Sequence, residues 1–334
     1  MRAAVISGIG TIEITDVEDP APGPRDVVIA VAGVGICGTD LHILDGEFAP
    51  SLPIVPGHEF AGEVVAIGRD VTEVAIGDQV AVDPSLYCHE CYQCQRGREN
   101  QCERWAAIGV TAPGGAAEFT VAPVANCVKL PDHVRPADAA LIEPLSCTVH
   151  GFDRLPRILG SSYLIYGAGT MGLMNLEMAK RAGAATVDVV DLNPERLKTA
   201  LQLGCSNGAG SADEIERPRG WDVVIDCTGV VAAIEDGLAR VGRGGTFMQF
   251  GVSGEKAVAG WPPFTIYNQE ITITGSMAVL RSFGRAAELF AGGALDPEVF
   301  ISDRYPLEQY AEALEQFKSG IGRKIQVNPH QTLP

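Results

Sequence analysis

The chain has 334 residues, 46% hydrophobic and 20% charged, enough for about two domains that each bury a core. Its formal net charge of −17 repels phosphate backbones and excludes an extended nucleic-acid interface, while fitting an ordinary solvated surface. No run approaches the roughly 18 uninterrupted apolar residues of a membrane span, so no membrane partner is expected.

Met1–Ile6 reads as a first strand, because the chain turns polar by Thr11–Glu13, too soon for a signal peptide's apolar region. Up to about residue 145 the chain is rich in Gly, Pro and short Val/Ile runs. Asp26–Ala32, Ala61–Ile67, Gln79–Val82 and Glu118–Val121 are such runs, and together they predict an irregular all-β unit. Helix-like stretches begin near Pro136. From Ser162 strands and helices alternate: a strand at Tyr163–Tyr166, a helix over Met171–Ala182, a strand at Val187–Val190 and a helix over Pro194–Leu203. Strands at Val223–Ile225 and Thr246–Phe250 flank a helical stretch, Ala232–Arg240. Apolar strands in this alternation predict a parallel sheet covered on both faces. Helices follow at Phe283–Ala291 and near Leu307–Ser319, and Lys324–Val327 reads as a last strand able to return to the first domain.

Three groups of residues carry chemistry. Gly167-Ala168-Gly169-Thr170-Met171-Gly172 is G-x-G-x-x-G between a strand and a helix, the context the dinucleotide fingerprint requires. Gly167 permits the tight turn, Gly169 the approach of a pyrophosphate, and Gly172 close packing of helix on strand. The helix N-terminus, with Thr170 and Met171, presents free N–H groups to phosphate. Asp191 follows about twenty residues on, where a carboxylate binds ribose hydroxyls and repels a 2′-phosphate, favouring NAD over NADP. Arg196 could stack on adenine or tolerate NADP, and the alternative for the whole motif is a glycine turn that binds nothing.

Nine cysteines in a chain without a secretory signal point to a reducing, cytoplasmic setting and to metal before disulfide. Cys88-x2-Cys91-x2-Cys94-x7-Cys102 can close a tetrahedron of thiolates around Zn²⁺, leaving no open position. An iron–sulfur cluster is the alternative, against which stand the long last spacing and Glu103, rather than proline, after Cys102. Cys37, His58-Glu59 and Glu143 form the third group. Taken singly, each also reads as a small core residue, a hydrogen-bonded core histidine or a helix N-terminal carboxylate.

The ordered motifs Gly35-Ile36-Cys37-Gly38-Thr39-Asp40-Leu41-His42, Pro56-Gly57-His58-Glu59, the four-cysteine lobe, Glu143-Pro144-Leu145-Ser146 and the glycine loop resemble the zinc-containing medium-chain dehydrogenases, essentially end to end. Within them the chain is most similar to the polyol (sorbitol or arabitol) dehydrogenase branch. The resemblance implies a GroES-like β domain, residues 1–147 and 282–334, with the structural zinc lobe at 84–104. An inserted Rossmann domain, a doubly wound parallel sheet over 148–281, would bind NAD. It implies two zinc ions per chain: a structural one on Cys88, Cys91, Cys94 and Cys102, and a catalytic one on Cys37, His58, Glu59 and Glu143. Glu59 would ligate directly or exchange with water, and Glu143 would hold water near the metal or approach it. Thr39 and His42 would relay the substrate proton, with Asp40 bracing the loop. A single thiolate leaves a harder metal, suited to a hydroxyl-rich small-molecule substrate.

Two positions depart from sorbitol dehydrogenases: Ile43 where they carry an aromatic, and Ala278 in place of a polyol-gripping arginine, with Arg281 nearby. The remaining cysteines, Cys127, Cys147, Cys205 and Cys227, carry no motif. The expected reaction is oxidation of a sugar alcohol to a ketose by a homodimer or homotetramer associating at the sheet edge around Ile271–Gly275. Threonine or another amino alcohol is the rival substrate, and a non-catalytic NAD sensor is the rival of another class.

Overall fold

The computed structural model describes residues 1–47 and 51–330; residues 48–50 and 331–334, which the expected catalytic domain includes, lie outside them. The chain divides into two compact units, Met1–Ser146 with the segment from Val279 onward, and Cys147–Ala278.

The first unit is built on a seven-stranded sheet. Its central strand, Asp26–Gly35, alternates Val and Ile inward, and pairs antiparallel with Glu59–Ile67, Phe119–Pro123 and the C-terminal strand Lys324–Asn328. The tail therefore does return to the first unit, and it brings with it a strand absent from the sequence expectations, Ile301–Pro306, paired in parallel. Ile29, Val34, Phe60, Val64, Val80, Ile325 and Val327 form one core. The helix Tyr310–Lys318 adds Tyr310, Ala313 and Leu314 to it. The register sets Gly35 opposite Glu59 on one side and Gln326 on the other, which places the start of one strand beside the end of another.

The second unit is a six-stranded, wholly parallel sheet. Its strand order is Asn207–Ala209, Thr186–Val190, Ser162–Tyr166, Trp221–Asp226, Val241–Gln249, Thr272–Gly275. Sequence order runs outward from Ser162–Tyr166 to one edge, then resumes on its other side, so a topological switch point lies there. The expected helices follow within a residue or two, as Thr170–Arg181, Pro194–Gln202 and Val231–Ala239. Among the described residues no helix is long and apolar enough to cross a membrane.

Candidate active site

The four lobe cysteines lie together. Their sulfurs stand 3.4 Å apart for Cys88–Cys102 and 3.9 Å for Cys88–Cys94 and Cys91–Cys102, and all four lie within 4.8 Å of one another. A tetrahedron with metal–sulfur bonds of about 2.3 Å has edges of about 3.8 Å, so the cage matches a single ion. Thiolates around an iron–sulfur cube stand further apart, and none of the cysteines forms a disulfide. The amides of Cys91 and Arg104 donate to the sulfurs of Cys88 and Cys102, both at 3.3 Å. The Cys88 thiol is lowered to about 6, first by the amide of Glu90, whereas burial pushes Cys94 up to about 12. Adjacent sulfurs cannot all ionise without a cation between them.

Cys37, His58 and Glu59 also bring one donor atom each within 4.8 Å of the others. Cys37 precedes the short helix Gly38–Leu44 in an extended conformation, and its N–H donates to Asp40 Oδ2 at 2.8 Å. That bond ties the loop down, the bracing role expected of Asp40. The other Asp40 oxygen faces His58 Nδ1 at 3.9 Å, and both atoms are buried without a hydrogen-bond partner among the described residues. Burial works against a charged His58, yet Cys37, Asp40 and Glu143 outweigh it and hold the imidazole well above its usual range. A pocket that draws a positive charge onto a buried histidine fits a metal cation. Thiolate, imidazole and carboxylate together are a donor set suited to Zn²⁺, and three protein donors leave room for a further ligand.

Glu143 is not in that close group. It is buried in the first turn of the helix Ile142–Asp153, near enough for its charge to act on both His58 and Lys324. Thr39 Oγ1 lies 3.7 Å from Cys37 Sγ. His42, its side chain one-third exposed, holds Glu47 at 2.5 Å through Nδ1. Arg281 is occupied: its guanidinium pairs with Glu99 of the cysteine lobe.

Two residues beside the close group are missing from the sequence expectations. Lys324 Nζ bonds both Glu59 oxygens, at 2.6 and 2.8 Å, and Ile36 O at 2.9 Å. Tyr310 is fully buried, with its hydroxyl unpartnered among the described residues and its ionisation suppressed by burial and by Asp40, Glu59 and Cys37. A lysine in an otherwise apolar-and-amide last strand was the available signal for the first; a tyrosine on a helix core face carried none.

In the second unit the glycine loop follows the switch-point strand. Gly167 adopts φ +96°, and a Cβ on Gly172 would stand 1.7 Å from Gly167 O, so neither position accepts a side chain. Gly169 caps the helix that starts at Thr170 and Met171. Asp191 accepts from Ala168 N at 2.6 Å and from Asn193 N at 2.7 Å, so it braces the loop while its remaining lone pairs stay available. Arg196 Nη1 lies 4.0 Å from Asp191 and close to Gly169, bringing a positive charge to the phosphate cradle. A second turn, Asp226–Gly229, also escaped sequence reasoning. Asp226 accepts from Thr228 N and Oγ1, Gly229 N and Gln249 Nε2, and Thr228 abuts Gly167. An acidic residue ending a strand before Thr-Gly was its signal.

Residues 23–132 match the alcohol dehydrogenase GroES-like domain and residues 170–292 the zinc-binding dehydrogenase domain. The chain is 35% identical to D-arabinitol dehydrogenase 1 of Uromyces fabae, over 91% of this chain and 90% of that one. It is 34% identical to an L-threonine 3-dehydrogenase of Saccharopolyspora erythraea, over 97% and 98%. A zinc-binding dehydrogenase of Sinorhizobium meliloti 1021, solved bound to NADP, superposes with a TM-score of 0.95 at 34% identity, covering 98% and 99% of the two chains. A GroES-like unit with a zinc-competent donor set, a Rossmann unit with its glycine loop, and these matches along nearly the whole length establish that the chain belongs to the zinc-containing medium-chain alcohol dehydrogenase family.

Proposed function

We propose that this dehydrogenase oxidises a secondary hydroxyl of a sugar alcohol to a ketone, with NAD as acceptor. The observation that carries the reading is the donor set of one thiolate, one imidazole and one carboxylate, with the Glu143 carboxylate nearby. Zinc in such a set supplies Lewis acidity toward a substrate hydroxyl, and the nicotinamide takes up the hydride. Cys37 and His58 hold that ion, with Glu59 as a third donor and Glu143 positioning water or substrate beside it. Asp40 Oδ1 faces the Nδ1 side of His58 at 3.9 Å, which leaves Nε2 for the metal. Thr39 and His42 lead the proton outward, with Glu47 fixing the one-third-exposed His42 ring. The lobe zinc is structural, because four thiolates leave no place for a substrate. Cofactor choice rests on Asp191; Arg196 beside it and an NADP-bound relative favour NADP as the second candidate.

A panel of pentitols, hexitols, simple secondary alcohols and threonine, each with NAD and with NADP and followed by nicotinamide absorbance, tests the assignment. Polyol-dependent reduction of NAD supports it. Threonine turnover without polyol turnover overturns the substrate and fits the second reading, which Cys37–Ile43 and the threonine dehydrogenase relative support. No turnover with any alcohol, despite two bound metals, would favour the non-catalytic sensor.

The reading includes a homodimer or homotetramer in a reducing, cytoplasmic setting. Thr272–Gly275 is the edge strand of its sheet, and the helix Pro263–Gln269 beside it buries none of its residues, leaving Phe264 and Tyr267 exposed. An open strand edge beside exposed aromatics supports association of two copies there. Light scattering of the wild type and Tyr267→Asp measures it.

A further inference from the structure

The parallel sheet of the second unit has two ends. The glycine loop follows the C-terminal end of Ser162–Tyr166. A cavity of about 790 Å³ opens at the opposite end, around Ser162, Trp221 and Val241, the first residues of three adjacent strands. The five residues of Ser162–Tyr166, at a rise of about 3.3 Å each, put roughly 17 Å of strand between the two, so the cavity is no part of the dinucleotide cradle. Its volume lies within the range of small-molecule pockets.

The charge of the cavity is opposite to that of the chain. Arg217, Arg219, Arg240 and Arg243 line it, in a protein of net charge −17. Asp222 is the one carboxylate among its described lining residues, and it is taken by Ser162 N and Oγ at 2.7 and 2.8 Å. At physiological salt, exposed charges more than about 8 Å apart are largely screened, so an anion entering here meets the arginines and not the distant carboxylates.

Backbone packing brings these cations together. Gly220 adopts φ +71°, and a Cβ there would stand 2.6 Å from Arg240 O and 2.7 Å from Gly242 N. One on Gly242 would stand 2.8 Å from Arg219 O. The turn 217–220 and the segment 240–243 are thus pressed together, and each carries two of the arginines. Two of the four are fixed in place. Arg217 reaches Thr186 Oγ1, lies 3.8 Å from the buried Asp188 and stands 5.9 Å over the Trp221 ring. Arg240 holds Asp236 at 2.8 Å and Asp213 at 2.7 Å. Arg219 and Arg243 are exposed, and among the described residues neither meets a carboxylate. Like charges gathered without counter-ions repel one another, and an anion between them relieves the repulsion. Arginine at all four places also suits a bidentate hold on phosphate oxygens, which lysine cannot give.

We propose that this cavity binds a phosphate-bearing small molecule, at a site separate from the dinucleotide site of the same unit. Arg217 and Arg240 form its preset wall, and Arg219 and Arg243 close on the phosphate oxygens. The site depends neither on the metal groups nor on which alcohol is oxidised.

Calorimetric titration of pyrophosphate into the holoenzyme, saturated with NAD so that the glycine loop is occupied, tests it. The wild type should bind one pyrophosphate per chain. Arg219→Ala and Arg243→Ala should each weaken binding about tenfold, and together about 100-fold, the scale of lost charge-assisted hydrogen bonds. Arg219→Lys with Arg243→Lys keeps the charge but not the fork, and should fall between wild type and the double alanine variant. NAD affinity and turnover should stay at wild-type values in all of them. AMP and glucose 6-phosphate, titrated in the same way, distinguish a nucleotide from a sugar phosphate as the source of the phosphate group. Citrate binding as tightly as pyrophosphate overturns the choice of phosphate. Absence of saturable binding of all three phosphate probes to the wild type overturns the proposal, as does unchanged binding in the folded double alanine variant. A wild type that binds none of them, with an oligomeric state that shifts in the double variant, would make this face a self-association surface instead. The single variants carry the comparison if the double one does not fold. If none folds, the arginines are structural and the proposal falls.

Discussion

Cys88, Cys91, Cys94 and Cys102 come from one short loop and share a shell of backbone amides that donate to their sulfurs. Cys37, His58 and Glu59 come from a helix N-terminus and a strand start, and they lean on Asp40 and on Lys324 from the far end of the chain. The lobe satisfies its thiolates locally and presents a closed cage. Among the described residues, the other group is left with unpaired buried atoms on His58 and Asp40 and a carboxylate paired with a lysine. Closure makes a metal structural, and incompleteness, held in place by the surrounding fold, makes one reactive.

Substitutions separate the two regions, and the largest effect is expected at the reactive one. Cys37→Ser should lower kcat/KM by about 1,000-fold, the loss of several kcal/mol of transition-state stabilisation, while metal analysis finds the lobe ion retained. Loss of both ions would show that the regions are not independent. Gly172→Ala isolates a third requirement: a methyl 1.7 Å from Gly167 O must displace the loop. Calorimetry should find NAD binding weaker by about 100-fold, roughly 2.7 kcal/mol, with both ions in place. Cys102→Ser attacks the lobe and should remove its ion and lower the melting temperature by about 5–10 °C. Turnover of the molecules that remain folded should fall far less than in Cys37→Ser. Cys127→Ser is the smallest. Burial pushes this thiol up to about 12 and its hydrogen bond goes to Pro123 O, so activity, metal content and melting temperature should stay close to wild type. A lost metal ion there would place Cys127 in a site it does not reach in the structure.

The same contrast explains what could be read in advance. The lobe was legible because thiolates three and eight residues apart can meet whatever the rest of the chain does. The glycine loop was legible because a φ of +96° at Gly167 and the contact at Gly172 are demands on single residues. Cys37, His58 and Glu59 were nameable only through family motifs; each has a bland meaning by itself. Lys324, 265 residues from Glu59, carried no local sign of its partner. The strand Ile301–Pro306, Ile-Ser-Asp-Arg-Tyr-Pro, lacks the apolar alternation of a half-buried strand and exists because Lys324–Asn328 offers it a ladder. Asn207–Ala209 is likewise too short to announce itself and pairs only at the sheet edge.

The sequence by itself determined the architecture class, the glycine loop and the cysteine lobe, because each is encoded in composition, periodicity or short spacing; the donor types of the other group came only through the resemblance of its motifs to a family. Tertiary structure alone decided that Glu143 stands apart from the closest donors, that Asp40 serves both Cys37 and His58, and that Arg281 is taken by Glu99. It also decided that Glu59 is claimed by a lysine. Those outcomes depend on which strands pair and in what register, and pairing across most of the chain is settled by the burial of a shared core, not by any one residue's neighbours in sequence.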